Sequence, residues 1–221
     1  MKYRLKEGIS WCLCADRAVF LDMCGDRYFC LAQADDAVFR QWVEHPNGCG
    51  HPDRLERLVR FGVISSCDDS CPSTPAVTVE SPTRDLAIEA DGESGFIDLI
   101  RALTAQRWAS VAIRRRSLQS IMEDLTFCSS EREETPIGNA QLRRLAAAFA
   151  RSALLLKAYD NCLARALAMR SLFRGRSHRP SIVFGVRLAP FAAHCWVQYA
   201  DAVLVGDLEQ ARLFTPIRVI P

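Results

Sequence analysis

Three residues in the second half of the chain have the chemical types of a nucleophilic catalytic site: Cys162, His194 and Asp207. The cysteine stands at the start of an apolar helical segment, the histidine starts a strand-like run, and the aspartate follows the next apolar run. A thiol attacks a carbonyl as the thiolate, and the pKa of a thiol falls at a helix N-terminus or beside an imidazolium. The histidine needs a carboxylate that fixes its tautomer and orients its ring. This order of residues therefore predicts catalysis by a cysteine.

The residues before Cys162 suggest how its thiol is activated. Asp160 and Asn161 are both good N-cap residues, and they directly precede a new helical run. Cys162 is then expected near a helix N-terminus, where its backbone amide can contribute to an oxyanion hole. The alternative is a buried apolar cysteine, which is the usual role of a single cysteine in such a helix.

The two strand-like runs restrict which residues can be partners of the thiol. Side chains alternate along AHCWVQY, so Cys195 points away from the face that carries His194 and is a poor candidate for the nucleophile. A hairpin returns the far end of its second strand to the start of the first, which favours Asp207 over Asp201, in the turn, as the carboxylate. His178 lies in a basic, turn-like loop and is predicted at the surface.

These motifs resemble the leader peptidase of lasso-peptide biosynthesis, a cysteine peptidase of the transglutaminase-like, papain-related fold. The resemblance rests on C-L-x-R at 162–165, GVRLAPFAAHCWVQY at 185–199 and the aspartate after VLVG, and it covers roughly residues 95–221. It implies that Cys162 is the nucleophile, His194 the general base and then acid, and Asp207 the orienting carboxylate. Cys195 departs from the family pattern, which usually has a small residue after the histidine.

The first segment has the pattern of a small winged-helix-like module. Strand-like runs at 9–14, 18–23 and 28–31 are separated by turn residues, and Asp35 or Asp36 is expected to cap the helix that follows. A second helix is predicted to begin near Pro52, with apolar residues on one face.

This segment, over roughly residues 1–66, resembles the leader-peptide recognition element, which is related to the pyrroloquinoline quinone chaperone. The residues that carry the resemblance are Gly8, the run at 19–31 and the end of the helix pair at 58–64. It implies that a leader adds as a strand to the third strand-like run and packs against the helix at 53–60, and an exposed edge strand suits an extended peptide. The implied leader-binding residues are Arg27, Tyr28, Phe29, Cys30, Leu31, Leu55, Leu58 and Val59. The alternative for Tyr28 and Phe29 is that one of them belongs to the core.

The whole chain is predicted to be an α+β protein of two domains. Residues 65–83 are rich in Ser, Thr, Pro and Asp, which is typical of a linker. We predict a recognition element at 1–66, a linker at 67–92 and a peptidase domain at 93–221. Helical periodicity recurs in 96–103, 118–125 and 142–156, and the three arginines at 114–116 are interpreted as a solvated helix face rather than a nucleic-acid site.

The composition excludes several broad classes of protein. Of the 221 residues 49% are hydrophobic, and the formal net charge is +2, which argues against bulk electrostatic binding to nucleic acid or to an anionic membrane. No apolar run approaches the ~20 residues of a membrane-spanning helix, and no signal peptide is recognised. A cytoplasmic protein is therefore expected.

The ten cysteines allow disulfides, a metal site or free thiols. Without an export signal, free thiols are favoured over disulfides. Cys49, His51, Cys67 and Cys71 are spaced loosely for zinc, but a paired C-x-x-C motif is missing, so no metal is predicted. No cofactor is predicted either, because the chain has no phosphate-binding glycine loop.

The two resemblances occur in the order found in the fused B proteins of proteobacterial lasso-peptide clusters. They imply that the chain binds the leader of a ribosomally made precursor and hydrolyses the leader–core junction. The implied partners are that precursor and an ATP-dependent, asparagine-synthetase-like cyclase, which joins the released amine to an Asp or Glu side chain. Two alternatives remain: an acyltransferase that uses the same triad, and a leader-binding scaffold without catalysis.

Overall fold

A computed structural model describes residues 2–46, 52–67, 79–90, 92–127, 138–156, 161–174 and 179–221. The chain divides into two compact units, Met1–Thr78 and Val79–Pro221. Several residues that the sequence singled out lie outside the described ranges: Cys49, His51, Cys71, Asp160 and His178. No helix in the described part of the chain is both long and apolar enough to cross a membrane.

The first unit combines two small antiparallel sheets with two helices. Its elements are β1 (Lys2–Leu5), β2 (Ile9–Cys14), β3 (Arg17–Asp22), β4 (Arg27–Cys30), α1 (Gln33–Glu44), α2 (Pro52–Arg60) and β5 (Ile64–Cys67). Strands β2, β3 and β4 form one sheet in that order, and β1 pairs with β5. The predicted strands followed by helices are confirmed. The β1–β5 pair was missed, because four-residue strands that pair across most of the unit leave little local signal.

An aromatic core joins the larger sheet of this unit to α1. Phe39 of α1 is fully buried and meets Trp11 and Phe20 edge to face, with ring centroids 5.2 and 4.7 Å apart. Trp42, one turn later, is also buried and packs on Phe39. Burial of such large rings supplies much of the stability of a small domain.

The start of α1 differs from the prediction. Its N-cap is Ala32, and no side chain caps it, so neither Asp35 nor Asp36 is the cap. Both aspartates are instead buried within the helix: Asp36 accepts a hydrogen bond from the backbone N–H of Ala18 at 2.8 Å, and Asp35 forms a 3.0 Å ion pair with Arg57. They connect α1 to β3 and α2. This role could not be predicted from the sequence, because it depends on tertiary contacts.

The second unit packs helices on a five-stranded sheet. Its elements are β6 (Arg84–Asp85), α3 (Leu86–Glu89), α4 (Phe96–Arg115), α5 (Leu118–Phe127), α6 (Asn139–Ala153), α7 (Cys162–Ser171), β7 (Ser181–Leu188), β8 (Phe191–Tyr199), β9 (Ala202–Val205), α8 (Leu208–Arg212) and β10 (Thr215–Ile220). The strand order is β10-β7-β8-β9-β6. All neighbours are antiparallel except β6 and β9, which are parallel.

The segment predicted as a linker, 67–92, overlaps two short elements of the second unit. Strand β6 and helix α3 fall within it, yet they belong to the second unit, where β6 extends the sheet beside β9. A two-residue strand and a one-turn helix are too short to show a hydrophobic period. Their place in the fold is decided by long-range pairing.

Helix α7, which carries Cys162, packs between α4 and the sheet, with β8 as its main strand neighbour. The buried face of α4 consists largely of small residues, Ala102, Ala105, Ala109 and Ala112, which allows close approach of the neighbouring helices. The larger Phe96 at its start is 74% exposed, although its spacing fitted the apolar pattern. The arginines at 114–116 are exposed, as predicted.

Candidate functional site

One cavity of the second unit collects the three residues that the sequence proposed as a triad. It has a volume of about 380 Å³. Its lining residues are Cys162, Arg165, Ala193, His194, Cys195, Val205, Gly206, Asp207 and Gln210. Asp201, the alternative carboxylate, is not among them and instead accepts a hydrogen bond from the Thr83 hydroxyl.

Cys162 is the first residue of α7, as its sequence context predicted. Asn161 occupies the N-cap position, but its side chain makes no capping hydrogen bond, so the expected side-chain cap is absent at this residue. Its backbone carbonyl accepts from the N–H of Arg165 at 2.9 Å and starts the helix. The first-turn N–H groups of a helix have no intrahelical acceptor, so this end of α7 favours negative charge.

His194 lies in the middle of β8, directly opposite Gly185 of β7. Its imidazole contacts two aromatic rings: Trp196 at a centroid distance of 6.2 Å and Phe214 at 5.3 Å. Both rings limit the orientations that the imidazole can adopt. The absence of a side chain at position 185 leaves room for them, since a Cβ there would lie 2.6 Å from the ring of Trp196.

The surroundings of His194 favour the neutral form of its imidazole. Burial lowers the pKa of His194 below its usual range, and the negative charge of Asp207 offsets part of that effect. Its Nε2 atom is buried and has no hydrogen-bond partner among the described residues. A neutral imidazole with an unoccupied ring nitrogen can accept a proton, which is the property required of a general base.

Asp207 follows β9 and Gly206 and also begins the next helix. It is the N-cap of α8, where its Oδ1 accepts a hydrogen bond from the N–H of Gln210 at 2.8 Å. This bond fixes the direction of the carboxylate at the rim of the cavity. Its charge acts on His194, as expected for a carboxylate that stabilises a protonated imidazole.

Cys195 borders the same cavity, yet its thiol is unsuited to nucleophilic attack. The residue is 4% exposed and pairs across the sheet with Phe184. Burial raises the pKa of the Cys195 thiol well above its usual range, and the charge of Cys162 adds to this. At neutral pH this group therefore stays protonated, and the thiolate is the reactive form of cysteine.

Sequence reasoning missed Asp85, which supports the aspartate end of the site. Its Oδ1 accepts from the N–H groups of Ala87 and Ile88 and so caps α3. Its Oδ2 accepts a 3.4 Å hydrogen bond from the N–H of Leu208, the residue after Asp207. The signal was an aspartate before the apolar run LAI, which is an N-cap pattern, but it lay inside the predicted linker.

Comparison with known families bears on this second unit. A family model described as the transglutaminase-like superfamily matches residues 105–219, more than half of the chain. The chain belongs to this superfamily. The match begins within α4 and includes Cys162, His194 and Asp207. Searches of curated proteins and of solved structures gave no match. The transglutaminase-like superfamily includes cysteine peptidases and acyltransferases, so the fold is compatible with either reaction.

The residues proposed to bind a leader peptide divide between an edge strand and the core. Strand β4 is the last strand of its sheet, and along it Arg27 is exposed while Tyr28 and Cys30 are half-buried. Phe29 stacks on Phe20 at 5.1 Å and is the one of the aromatic pair that packs against the core. The remaining proposed residues belong to the core or pack on it: Leu31, Leu55, Leu58 and Val59.

We expect His194 to titrate below the value of about 6.5 that an exposed histidine has, because its burial disfavours the imidazolium. Asp207→Asn removes the charge that opposes this effect, so it should move the midpoint to a still lower pH. NMR titration of the imidazole C–H signals measures both, and His194→Ala assigns the resonance. Asp201→Asn is the control, and a midpoint that rises in Asp207→Asn would contradict the assigned interaction.

Proposed function

We propose that this protein is a cysteine peptidase that removes the leader from a ribosomally made precursor peptide in lasso-peptide maturation. The observation that carries the proposal is the cavity shared by Cys162, His194 and Asp207. The superfamily membership supports cysteine-based acyl chemistry. The choice of a precursor peptide as substrate is supported by the sequence resemblances of both halves of the chain.

In the proposed reaction, neutral His194 takes the proton of the Cys162 thiol as the sulfur attacks the carbonyl carbon at the leader–core junction. The Cys162 amide at the start of α7 is suited to stabilise the charge that develops on the carbonyl oxygen. Protonated His194, stabilised by Asp207, gives its proton to the leaving amine. The core is released with a new α-amine, and water hydrolyses the thioester that remains on the leader.

The first unit is proposed to hold the leader as an added strand at β4. An edge strand offers backbone N–H and C=O groups to an extended peptide. Tethering the leader raises the effective concentration of the junction at the cavity. A separate ATP-dependent cyclase of the asparagine-synthetase type is the proposed partner that uses the released amine.

The test is mass spectrometry of the precursor encoded beside the gene, after incubation with this protein, with and without the cyclase. A single cut that separates leader from core supports the proposal and locates the junction. Adding a primary amine distinguishes the alternative acyltransferase, whose leader product is an amide, heavier than the hydrolysed leader by the mass of the amine less one water. Leader binding without any cut, under both conditions, would favour the scaffold.

Tyr28→Asp is expected to weaken leader binding at least about tenfold, roughly 1.4 kcal/mol, because it places a charge on the edge strand where the peptide would pack. Fluorescence anisotropy of a labelled leader measures the affinity. Leu13→Asp is the matched control, since Leu13 is exposed on β2, the opposite edge of the same sheet. Equal losses in both variants, or none in Tyr28→Asp, would rule out docking at β4.

A further inference from the structure

Arg165 is the only lysine or arginine among the described residues that line the triad cavity. It lies one helical turn after Cys162 in α7. Residues three apart in a helix have Cβ atoms about 5–6 Å apart, and helical side chains lean toward the N-terminus. The side chain of Arg165 therefore leans back over the turn that begins with Cys162.

The guanidinium of Arg165 is held by one hydrogen bond, but another of its donor atoms has no acceptor among the described residues. Its Nη2 donates a 3.0 Å hydrogen bond to the backbone carbonyl of Phe149 in α6. Its Nε is buried and has no hydrogen-bond partner within the described ranges. Burial lowers the pKa of Arg165, and among the described residues a negative charge on Cys162 opposes this effect.

The other described ionisable groups that line the triad cavity do not supply a permanent positive charge. In the cavity, burial lowers the pKa of His194 and raises the pKa of Cys195, which favours the neutral form of both side chains, and Asp207 carries a carboxyl group. On the α4 side, Arg107 and Arg114 line a separate cavity of about 310 Å³. Among the described residues that line the triad cavity, Arg165 is therefore the one cation on α7.

We propose that Arg165 is a positioning residue that stabilises the thiolate of Cys162, whether or not His194 is protonated. The interaction is reciprocal. If the negative sulfur of Cys162 stabilises the charged guanidinium, the guanidinium stabilises the negative sulfur by the same free energy. In the proposed peptidase reaction, this makes transfer of the thiol proton to neutral His194 easier. That role rests on the proposed function, whereas the charge interaction is measurable without a peptide.

The test is the pH dependence of Cys162 alkylation by iodoacetamide in the full chain, quantified by mass spectrometry of the peptide that contains Cys162. Arg165→Met is expected to move the midpoint up by about one pH unit, the lower end of the effect of a nearby opposite charge. Arg165→Lys keeps a positive charge and should recover at least half of that shift. Iodoacetate is an anion and iodoacetamide is neutral, and both react with the thiolate. The ratio of their alkylation rates is therefore independent of the thiolate fraction and reports the local charge. This ratio should fall in Arg165→Met.

A purely structural role for Arg165 predicts a different result. Arg151→Met is the matched control, because Arg151 of α6 also donates to a backbone carbonyl, that of Ser94, at 2.9 Å and is not a lining residue of the cavity. An unchanged midpoint in folded Arg165→Met, or an equal shift in Arg151→Met, would overturn the proposal.

His194→Ala provides a second test that leaves Arg165 in place, and it can still refute the proposal if Arg165→Met does not fold. The midpoint is expected to stay within about 0.3 pH units of the wild type, since the guanidinium remains. A rise of about one unit is the effect of losing a nearby opposite charge. It would show that the imidazole stabilises the thiolate and would overturn the proposal. Because neither test uses a peptide substrate, failure of the peptidase assay would leave this result unaffected.

Discussion

Cys162→Ala is expected to abolish cleavage of the precursor, with a loss of at least about 1,000-fold in rate, whereas Cys195→Ala should stay within about twofold of the wild type. Both cysteines border the cavity, so the comparison isolates the position of the thiol. Cys162 lies at a helix N-terminus, which favours the thiolate, while burial keeps Cys195 protonated. Mass spectrometry of leader and core fragments measures both variants.

Two controls separate loss of chemistry from loss of substrate binding. Cys162→Ala should bind the labelled leader with wild-type affinity, since the proposed docking strand is β4 in the other unit. His194→Ala should lose cleavage in the same way, because the sulfur then lacks its base. Substantial residual cleavage in Cys162→Ala, or loss of cleavage in Cys195→Ala with Cys162 intact, would show that the nucleophile is wrongly assigned.

Gly185→Ala is expected to lower both stability and cleavage, although it adds one methyl group far from Cys162 in sequence. The added Cβ would lie 2.6 Å from the ring of Trp196 and 2.9 Å from the Cβ of Phe214, so both residues must move. Overpacking of this kind costs about 1–3 kcal/mol of the free energy of unfolding. The same two rings contact His194, so their displacement should misplace the base and reduce cleavage about 100-fold.

Gly138→Ala is the matched control in the same unit. Gly138 precedes α6 with φ −64, and no atom lies within 4 Å of a Cβ added there. The cleavage assay should therefore give the wild-type value, and the free energy of unfolding should fall by no more than the ~1 kcal/mol that alanine costs at the N-cap of α6. Full activity in Gly185→Ala would contradict the idea that the rings of Trp196 and Phe214 position His194. A loss of stability without a loss of cleavage would show that Gly185 matters only for packing.

Much of the candidate site could be predicted from the sequence because its residues have local signals. The apolar run after Cys162 indicated a helix that begins at this residue, and α7 does begin there. The turn between the last two long strand-like runs indicated that Asp207, and not Asp201, lies near the histidine, and Asp207 lines the cavity. Periodicity and chain reversal are properties of short stretches, so a single sequence reveals them.

Residues that act through distant contacts had no local signal for those contacts. Asp85 lies in a stretch with the composition of a linker, yet it accepts a hydrogen bond from the start of α8. Asp35 and Asp36 had the type of helix caps, but the fold uses them as buried partners of Arg57 and of the Ala18 N–H. The same residue type satisfies either role, and only the neighbouring elements select between them.

The sequence by itself determined the α+β class and the helix that begins at Cys162, and it predicted the order of thiol, imidazole and carboxylate. Only the tertiary structure decided that half-buried His194 lies against Trp196 and Phe214 and that Arg165 shares its cavity. The physical reason is that alternation and helical period depend on the local backbone. Burial and charge at a site depend on which distant segments surround it, and these set the protonation of its groups.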